Sequence, residues 1–258
     1  HMGVNLHPRK KGVRIGPDLD LDTIGMIDEA VMTRRVLVSQ ISGRFDPLGL
    51  LTPITLPYKL LLQRLSSSTE GWDDELDVQL AEEARTILKQ MVEAPDICFP
   101  RSVKREGVKD GLELVGFWDG GAPASSGCVC TRYEKELADD VTHQVRLLAG
   151  KARVTPTQKK TSKKSTPRTE LRGLVVLTRI VTASLGGLSE KPLRITLCGD
   201  SECTISAVDS DEGVLQTWFS NRVAEVVEHM QNWARMGIQV DELQHWPGLR
   251  NIADIATK

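Results

Sequence analysis

Four acidic side chains in the second half of the chain stand where strands are expected to end or helices to begin: Asp119, Glu170, Asp200 and Asp254. Asp119 ends one strand-like apolar segment, and Asp200 follows another. If those two segments are neighbouring strands, both carboxylates emerge at the same edge of a sheet. Clustered carboxylates repel one another unless divalent cations neutralise them, and hard oxygen ligands suit Mg²⁺ or Mn²⁺.

Two cations on such carboxylates can activate a water molecule and stabilise the leaving oxygen of a phosphodiester. The acids therefore indicate in-line hydrolysis of nucleic acid. Each acid also has a structural interpretation. Glu170 and Asp254 suit first helical turns, where the helix dipole favours negative charge, and Asp200 suits an N-cap for a helix near Ser201. The order of the acids along the fold favours the catalytic interpretation.

The elements expected to position these acids begin with three strands, at 112–117, 126–133 and 142–149. A helix follows from about Thr166, with Pro167 in its first turn. After it come a strand at 193–198, two helices, a strand at 238–245 and a helix opening near Asn251. This order predicts an α/β domain with a mixed sheet.

The first part of the chain has a different pattern. Apolar residues at helical spacing occur over 56–65 and 76–92, so this part is expected to be mainly helical. A polar, turn-prone stretch at 100–107 separates it from the strand-rich region. We therefore predict two domains, 1–105 and 106–258.

Positive charge concentrates between Lys151 and Thr169, where no acidic residue occurs. The basic residues of this stretch are Lys151, Arg153, Lys159, Lys160, Lys163, Lys164 and Arg168. The Pro-punctuated polar composition of residues 155–167 predicts an exposed loop. Such a loop can neutralise nucleic-acid phosphates, and the alternative is a solvated loop without a partner.

Composition excludes several classes of protein. The chain has 33 Lys+Arg against 35 Asp+Glu, so it is not a uniformly basic binder, and 4% aromatic residues disfavour a stacking platform for single strands. Apolar runs fall far short of the roughly 20 residues of a membrane helix. The five cysteines lack zinc-site spacing. We expect a soluble, intracellular protein.

Short motifs also occur in a fixed order along most of the chain. They are RRVLVS at 34–39, FDPLGLLTP at 45–53, GWDDEL at 71–76, FWD at 117–119, KARVTP at 151–156, PRTEL at 167–171, GDS at 199–201 and NIAD at 251–254. In this combination the chain resembles the reverse transcriptase connection and RNase H region of Pao/BEL-type LTR retrotransposon polyproteins. One departure from the family pattern stands out: Asp119 is followed by Gly120-Gly121, where relatives tend to carry a small Ala-Ser pair.

The resemblance implies an RNase H-like mixed five-stranded sheet with flanking helices, preceded by a smaller thumb/connection-like domain. It places the family's Asp-Glu-Asp-Asp cluster on Asp119, Glu170, Asp200 and Asp254. It implies two Mg²⁺ ions, which Mn²⁺ can replace, with Asp119 bridging them. Asp254 would help hold the ion that activates water, and Glu170 and Asp200 the ion facing the leaving group. His245 is a candidate accessory residue; alternatively, it ends the last strand facing solvent or core.

The implied activity is ribonuclease H cleavage of the RNA strand of RNA/DNA hybrids during retrotransposon reverse transcription. The implied partners are the hybrid and an upstream polymerase domain of the same polyprotein, with no membrane and no small-molecule cofactor beyond metal. No Tyr-x-Asp-Asp signature occurs, so we expect a polyprotein fragment that does not synthesise DNA. The expected location is the cytoplasm, a virus-like particle or the nucleus.

Two alternatives stay open at this point. One is a catalytically silent RNase H-fold module from a domesticated retroelement, which binds nucleic acid or serves as a scaffold. The other is a transposase or integrase that acts on DNA ends. The four retained acids argue against the first alternative. The position of Glu170 early in the first long helix argues against the second.

Overall fold

A computed structural model describes residues 5–6, 12–15, 27–42, 46–66, 71–93, 97–100, 102–104, 108, 111–137, 140–156, 166–210 and 216–257. The chain divides into two compact units. The first comprises His1–Pro47 and Pro53–Ser102, and the second comprises Leu48–Thr52 and Val103–Lys258.

The described residues of the first unit include three long helical segments and a small sheet. The helices are α1 (Arg34–Ser42), α2 (Thr52–Ser66) and α3 (Val78–Glu93), and the antiparallel strands are β1 (Asn5–Leu6), β2 (Gly12–Ile15) and β3 (Ile97–Pro100). Apolar side chains such as Leu37, Leu61 and Leu88 form the core of the helices. The helices match the predicted spacing, whereas the sheet was not predicted, because strands of two to four residues are too short to show an alternating pattern.

The second unit is built on one mixed sheet. Its strands are β4 (Glu113–Gly120), β5 (Ala124–Leu137), β6 (Asp140–Val154), β7 (Arg194–Gly199), β8 (Gln239–Val240) and β9 (Gln244–His245). The first three form an antiparallel meander, and β7 pairs in parallel with β4. Both β8 and β9 pair in parallel with β7. The predicted α/β domain with a mixed sheet is therefore confirmed.

In the described part of this unit the helices are α4 (Thr166–Leu185), α5 (Glu202–Asp209) and α6 (Thr217–Arg235), followed by 3₁₀ turns at Gly248–Arg250 and Ile252–Ala256. Helix α4 buries its apolar side chains in the same core as Leu114 of β4 and Ile195 of β7. Trp233 of α6 belongs to this core, and its indole N–H donates to Thr182 of α4 at 3.0 Å. The core thus fixes α4 against the central strands.

Two predictions for the end of the chain were wrong in detail. The strand predicted at 238–245 is interrupted after Val240 and resumes at Gln244. At the break, the Asp241 N–H still donates to the Ile195 carbonyl at 3.0 Å, and its carboxylate accepts from the Thr196 hydroxyl at 2.6 Å. The helix predicted near Asn251 is a 3₁₀ turn. Its backbone bonds span three residues, as from the Asp254 N–H to the Asn251 carbonyl.

Glycine allows α4 to lie unusually close to the end of β4. A Cβ atom on Gly173 would lie 2.4 Å from the Asp119 carbonyl oxygen and 3.1 Å from the Ser126 carbonyl oxygen. Both neighbours are backbone atoms of the sheet, so they cannot move aside as a flexible side chain would. The helix backbone therefore touches the strand at the point where the first acid is placed.

We predict that Gly173→Ala lowers the free energy of unfolding by about 1–3 kcal/mol or more, because the added methyl group overpacks a rigid contact. Chemical denaturation checks this. Gly186→Ala is the matched control, since its Cβ would meet nothing nearer than 3.6 Å. Equal stability of the two variants would contradict the proposed contact.

Candidate metal centre

The register of β4 and β7 brings Asp119 and Asp200 together. The last paired residues of these parallel strands are Phe117 and Cys198. Each acid lies two positions beyond its member of that pair, so both carboxylates stand at the carboxyl edge of the sheet. The N-cap interpretation of Asp200 is wrong, because Ser201 caps α5: its hydroxyl accepts from the Thr204 N–H at 3.3 Å.

Glu170 reaches the same edge from α4. It lies in the second turn of this helix, because the helix begins at Thr166, so its predicted place in the first turn was wrong. The Thr169 hydroxyl donates to the Gly120 carbonyl at 3.0 Å, which ties the helix to β4. A Cβ on Gly120 would lie 2.2 Å from the Glu170 nitrogen. Glycine at this turn therefore permits the approach of Glu170 to Asp119.

The three acids form a compact cluster of oxygen ligands. One carboxylate oxygen from each of Asp119, Glu170 and Asp200 lies within 4.8 Å of the others. Asp119 is 6% exposed and Glu170 is 9% exposed, whereas Asp200 is half-buried. Glu170 Oε2 and Asp200 Oδ1 are buried and accept no hydrogen bond from the described residues. Buried acceptors without donors, in an all-oxygen set, fit a divalent cation.

Electrostatics in the cluster oppose ionisation. Burial raises the pKa of Glu170 to about 8, and the negative charges of Asp119 and Asp200 contribute to the increase. A hydrogen bond from the Gly120 backbone acts in the opposite direction and lowers this pKa. Burial also raises the pKa of Asp119 above its usual range. The Thr257 hydroxyl donates to Asp119 Oδ2 and opposes that increase. Without a cation, at least one proton is therefore retained near neutral pH.

Asp254 is placed by a separate anchor. The Asn251 side-chain amide donates to the Trp118 carbonyl at 2.8 Å, while its side-chain oxygen accepts from the Ala253 N–H at 3.1 Å. The Ser126 hydroxyl holds the Ala253 carbonyl at 2.6 Å. Asp254 follows on this anchored turn and is half-buried. Its charge contributes to the raised pKa of Asp119, although Asp254 lies outside the three-acid cluster found in the described residues.

The other predicted site residues are dispersed. His245 ends β9 and is exposed, next to Gly199 of β7. Lys151 and Arg153 are exposed on β6, and Arg168 is half-buried at the start of α4. The remaining four lysines, Lys159, Lys160, Lys163 and Lys164, lie outside the described residues.

Two sets of side-chain contacts in this unit were not identified from the sequence. Thr257 contacts Asp119 across the fold, and no local pattern could show that contact. Arg172 and Arg222 gather with Arg168 around the Trp218 ring. The four-residue spacing of Arg168 and Arg172 on one helix was a usable signal for part of this group.

Comparison with protein families identifies the chain. Residues 33–201 match the Pao retrotransposon-like RNaseH-like domain. The chain belongs to this family. Pao-type membership agrees with the mixed sheet and with the acids at its edge. No curated protein matches the Pao-type chain in sequence, and no helix among its described residues has the length and apolarity to cross a membrane.

Solved structures similar to the Pao-type chain include several RNase H proteins. The N-terminal RNase H domain of a Mycobacterium tuberculosis protein, solved as a fusion with maltose binding protein, is 15% identical, with a TM-score of 0.37; the match covers 57% of this chain and 94% of that one. RNase H1 of Halobacterium salinarum NRC-1 is 12% identical, with a TM-score of 0.32 and coverages of 56% and 91%. LC11-RNase H1, in complex with an RNA/DNA hybrid, is 9% identical, with a TM-score of 0.32 and coverages of 55% and 91%.

We predict that Glu170→Gln stabilises the metal-free protein at high pH. The folded protein keeps the Glu170 proton up to about pH 8, whereas the unfolded chain releases it near the ordinary pKa of 4.5. The free energy of unfolding therefore falls as pH rises between these values. Glutamine removes this loss, with an expected gain on the order of 4–5 kcal/mol at pH 8, since each pKa unit corresponds to about 1.4 kcal/mol.

Chemical denaturation in EDTA at acidic and alkaline pH measures this effect. The control is Glu202→Gln, which removes an exposed carboxylate from the first turn of α5. Mg²⁺ added at high pH should stabilise the wild type more than Glu170→Gln, because a ligand of the folded state raises its stability. If Glu170→Gln and the control show the same pH dependence, the buried carboxyl does not carry the proton.

Proposed function

We propose that this protein is a metal-dependent ribonuclease H that hydrolyses the RNA strand of RNA/DNA hybrids during retrotransposon reverse transcription. The observation that carries the proposal is the cluster of Asp119, Glu170 and Asp200, with two buried oxygens that lack donors among the described residues. Membership of the Pao retrotransposon-like RNaseH-like domain family supports the same activity. An acidic site of this kind suits phosphodiester hydrolysis without a nucleophilic side chain.

We assign the cation ligands to Asp119, Glu170 and Asp200, with Asp254 as the fourth acid beside them. Two bound Mg²⁺ ions, or Mn²⁺ ions in their place, would activate the attacking water and stabilise the leaving oxygen. The Thr257 hydroxyl orients Asp119 by donating to Oδ2. Glu170 must lose its proton before both of its oxygens can serve as ligands, so cation affinity should rise with pH toward about 8.

The other parts of the chain would present the substrate. The exposed side chains of Lys151 and Arg153 on β6, together with Lys159, Lys160, Lys163, Lys164 and Arg168, are proposed to contact hybrid phosphates. His245 is proposed as an accessory residue near the cation site, because it pairs with Gly199, the residue before Asp200, across β7 and β9. Residues 1–105 are proposed as a thumb/connection-like region that joins the nuclease to an upstream polymerase domain of the same BEL-type polyprotein. The proposed location is the cytoplasm, a virus-like particle or the nucleus.

Cleavage of an end-labelled RNA/DNA hybrid tests the activity. We expect the RNA strand to be cut in Mg²⁺ or Mn²⁺ and to remain intact in EDTA, with duplex DNA and duplex RNA uncut. Asp119→Asn should lower the rate by more than about a hundredfold. Removal of a direct metal ligand is expected to lower activity more than removal of a residue that only hydrogen-bonds to a ligand. The matched control, Asp209→Asn, changes an exposed acid at the end of α5 and should leave the rate unchanged.

Two results would contradict the proposal. Equal rates in the wild type and Asp119→Asn would remove the acidic cluster from the reaction. Tight hybrid binding by a folded wild-type protein, with no cutting in either metal, would indicate a silent nucleic-acid-binding module.

A further inference from the structure

The two central strands of the second unit are no longer paired with each other where their acids lie. The last paired residues of β4 and β7 are Phe117 and Cys198. Hydrogen-bonded strands lie about 4.8 Å apart, because the bonds fix their spacing. The register places Asp119 and Asp200 at the same level of the sheet, two positions beyond the last pair. Their spacing across the two strands must therefore be set by a different contact.

Each strand end is bonded instead to its outer neighbour. Strand β4 stays paired with β5 as far as Gly120. Gly199 of β7 pairs with β9, and its carbonyl accepts from the Trp246 N–H at 2.7 Å. Adjacent strands are rotated relative to each other by the sheet twist, so strand ends that no hydrogen bonds join diverge. The two acids are thus carried by strand ends that are held from opposite sides.

One side chain fills the space between these strand ends. The indole ring of Trp118 in β4 lies against the backbone of Gly199 in β7. A Cβ atom on this glycine would overlap the ring atoms Cε2 and Cζ2 and lie 2.6 Å from Cδ2. Trp118 is fully buried and belongs to the core that includes side chains of α4 and α6. Because the ring is rigid and cannot move into solvent, it acts as a spacer of fixed width.

Trp118 is also linked to the acids through the backbone. It immediately precedes Asp119, and Gly199 immediately precedes Asp200. The Trp118 carbonyl accepts from the Asn251 side-chain amide at 2.8 Å, and Asn251 anchors the last 3₁₀ turn. The fourth acid lies on that turn. A change at this one ring is therefore transmitted to both strand ends of the metal centre.

We propose that Trp118 is a positioning residue that sets the separation of Asp119 and Asp200, and through it the size of the cation that the site accepts. This inference rests on the proposed function and deepens it, because it identifies what determines ion selectivity at the same site. Mg²⁺ requires nearly ideal octahedral geometry at about 2.0–2.1 Å, whereas Ca²⁺ accepts about 2.3–2.6 Å and variable geometry. Loosening the frame should therefore weaken Mg²⁺ binding more than Ca²⁺ binding.

The indole N–H allows ring size to be changed by itself. Trp118 Nε1 is buried and donates to no acceptor among the described residues. Trp118→Phe therefore shortens the ring without removing a hydrogen bond that the structure shows. Gly199→Ala changes the same contact from the opposite side, because its methyl group would meet the ring. In the double variant, the methyl group occupies space that the smaller ring leaves.

Cation affinity of the full chain, measured without nucleic acid, tests the proposal. Free Mn²⁺ is quantified by electron paramagnetic resonance, and Mg²⁺ and Ca²⁺ are each titrated as competitors. We expect Trp118→Phe to bind Mg²⁺ at least about tenfold more weakly, because residues that orient metal ligands typically contribute about ten- to a hundredfold to affinity. Ca²⁺ affinity should fall less, so the ratio of Mg²⁺ affinity to Ca²⁺ affinity should decrease.

The matched control is Trp233→Phe, which shortens another buried indole of the same core and removes its hydrogen bond to Thr182. This variant should lose at least as much stability in chemical denaturation as Trp118→Phe does. Its ratio of Mg²⁺ affinity to Ca²⁺ affinity should nevertheless equal that of the wild type. General loosening of the core is thereby separated from a change in the spacing of the acids.

Gly199→Ala provides a second arm, which keeps the test available if Trp118→Phe fails to fold. Alone, it should also lower the affinity ratio. Combined with Trp118→Phe, it should restore the ratio in part, because substitutions at two residues in contact are not additive. A loss in the double variant equal to the sum of the two single losses would contradict a shared contact.

Equal affinity ratios in Trp118→Phe and Trp233→Phe would overturn the proposal. Failure of the proposed function gives a different result, since the wild type would then bind none of the three cations, which would overturn both. A wild type that binds Mg²⁺ and shows the expected change of ratio in Trp118→Phe, but never cuts hybrid, would support the role of Trp118 and contradict only the nuclease.

Discussion

The crowding of three carboxylates at one edge of a sheet is the constraint on which the rest of this structure depends. Like charges within 4.8 Å of one another in a largely buried site oppose ionisation and destabilise the metal-free fold. The surrounding contacts must therefore hold the acids in place. Parallel pairing of β4 with β7 fixes Asp119 beside Asp200, and the helix–strand contact at Gly120 and Gly173 brings in Glu170.

The same constraint explains why polar anchors concentrate around the acids. Hydroxyl groups of Thr169, Ser126 and Thr257 bind carbonyl or carboxylate oxygens of neighbouring elements, and Asn251 joins the last turn to β4. Each bond satisfies a buried polar group, and together they compensate for repulsion that a single contact could not offset. Arg168 and Arg172 of α4 carry the opposite charge, so one helix contributes both to the acidic cluster and to the group of arginines around Trp218.

Sequence patterns predicted much of this arrangement because the patterns are local. Alternating and helical spacings located β4, β5, β6, β7 and α4, and acids at element ends indicated the cluster. Contacts between distant residues were beyond such patterns. Nothing near Trp218 in sequence reveals that Arg168 and Arg172 pack on its ring, and nothing near Asp119 reveals Thr257. The 3₁₀ turn at Asp254 is anchored by the bond of Asn251 to Trp118, a contact between distant residues that helix signals alone do not reveal.

The central claim is that a divalent cation, and not a retained proton, is the functional partner of these carboxylates. Crystals of the wild type soaked in Mn²⁺ at a pH above that of the Glu170 transition, with anomalous scattering recorded near the manganese edge, test it most directly. The account predicts an anomalous peak at bonding distance from oxygens of Asp119, Glu170 and Asp200, absent from crystals of Asp119→Asn. A well-ordered cluster without a peak at millimolar Mn²⁺ would contradict it.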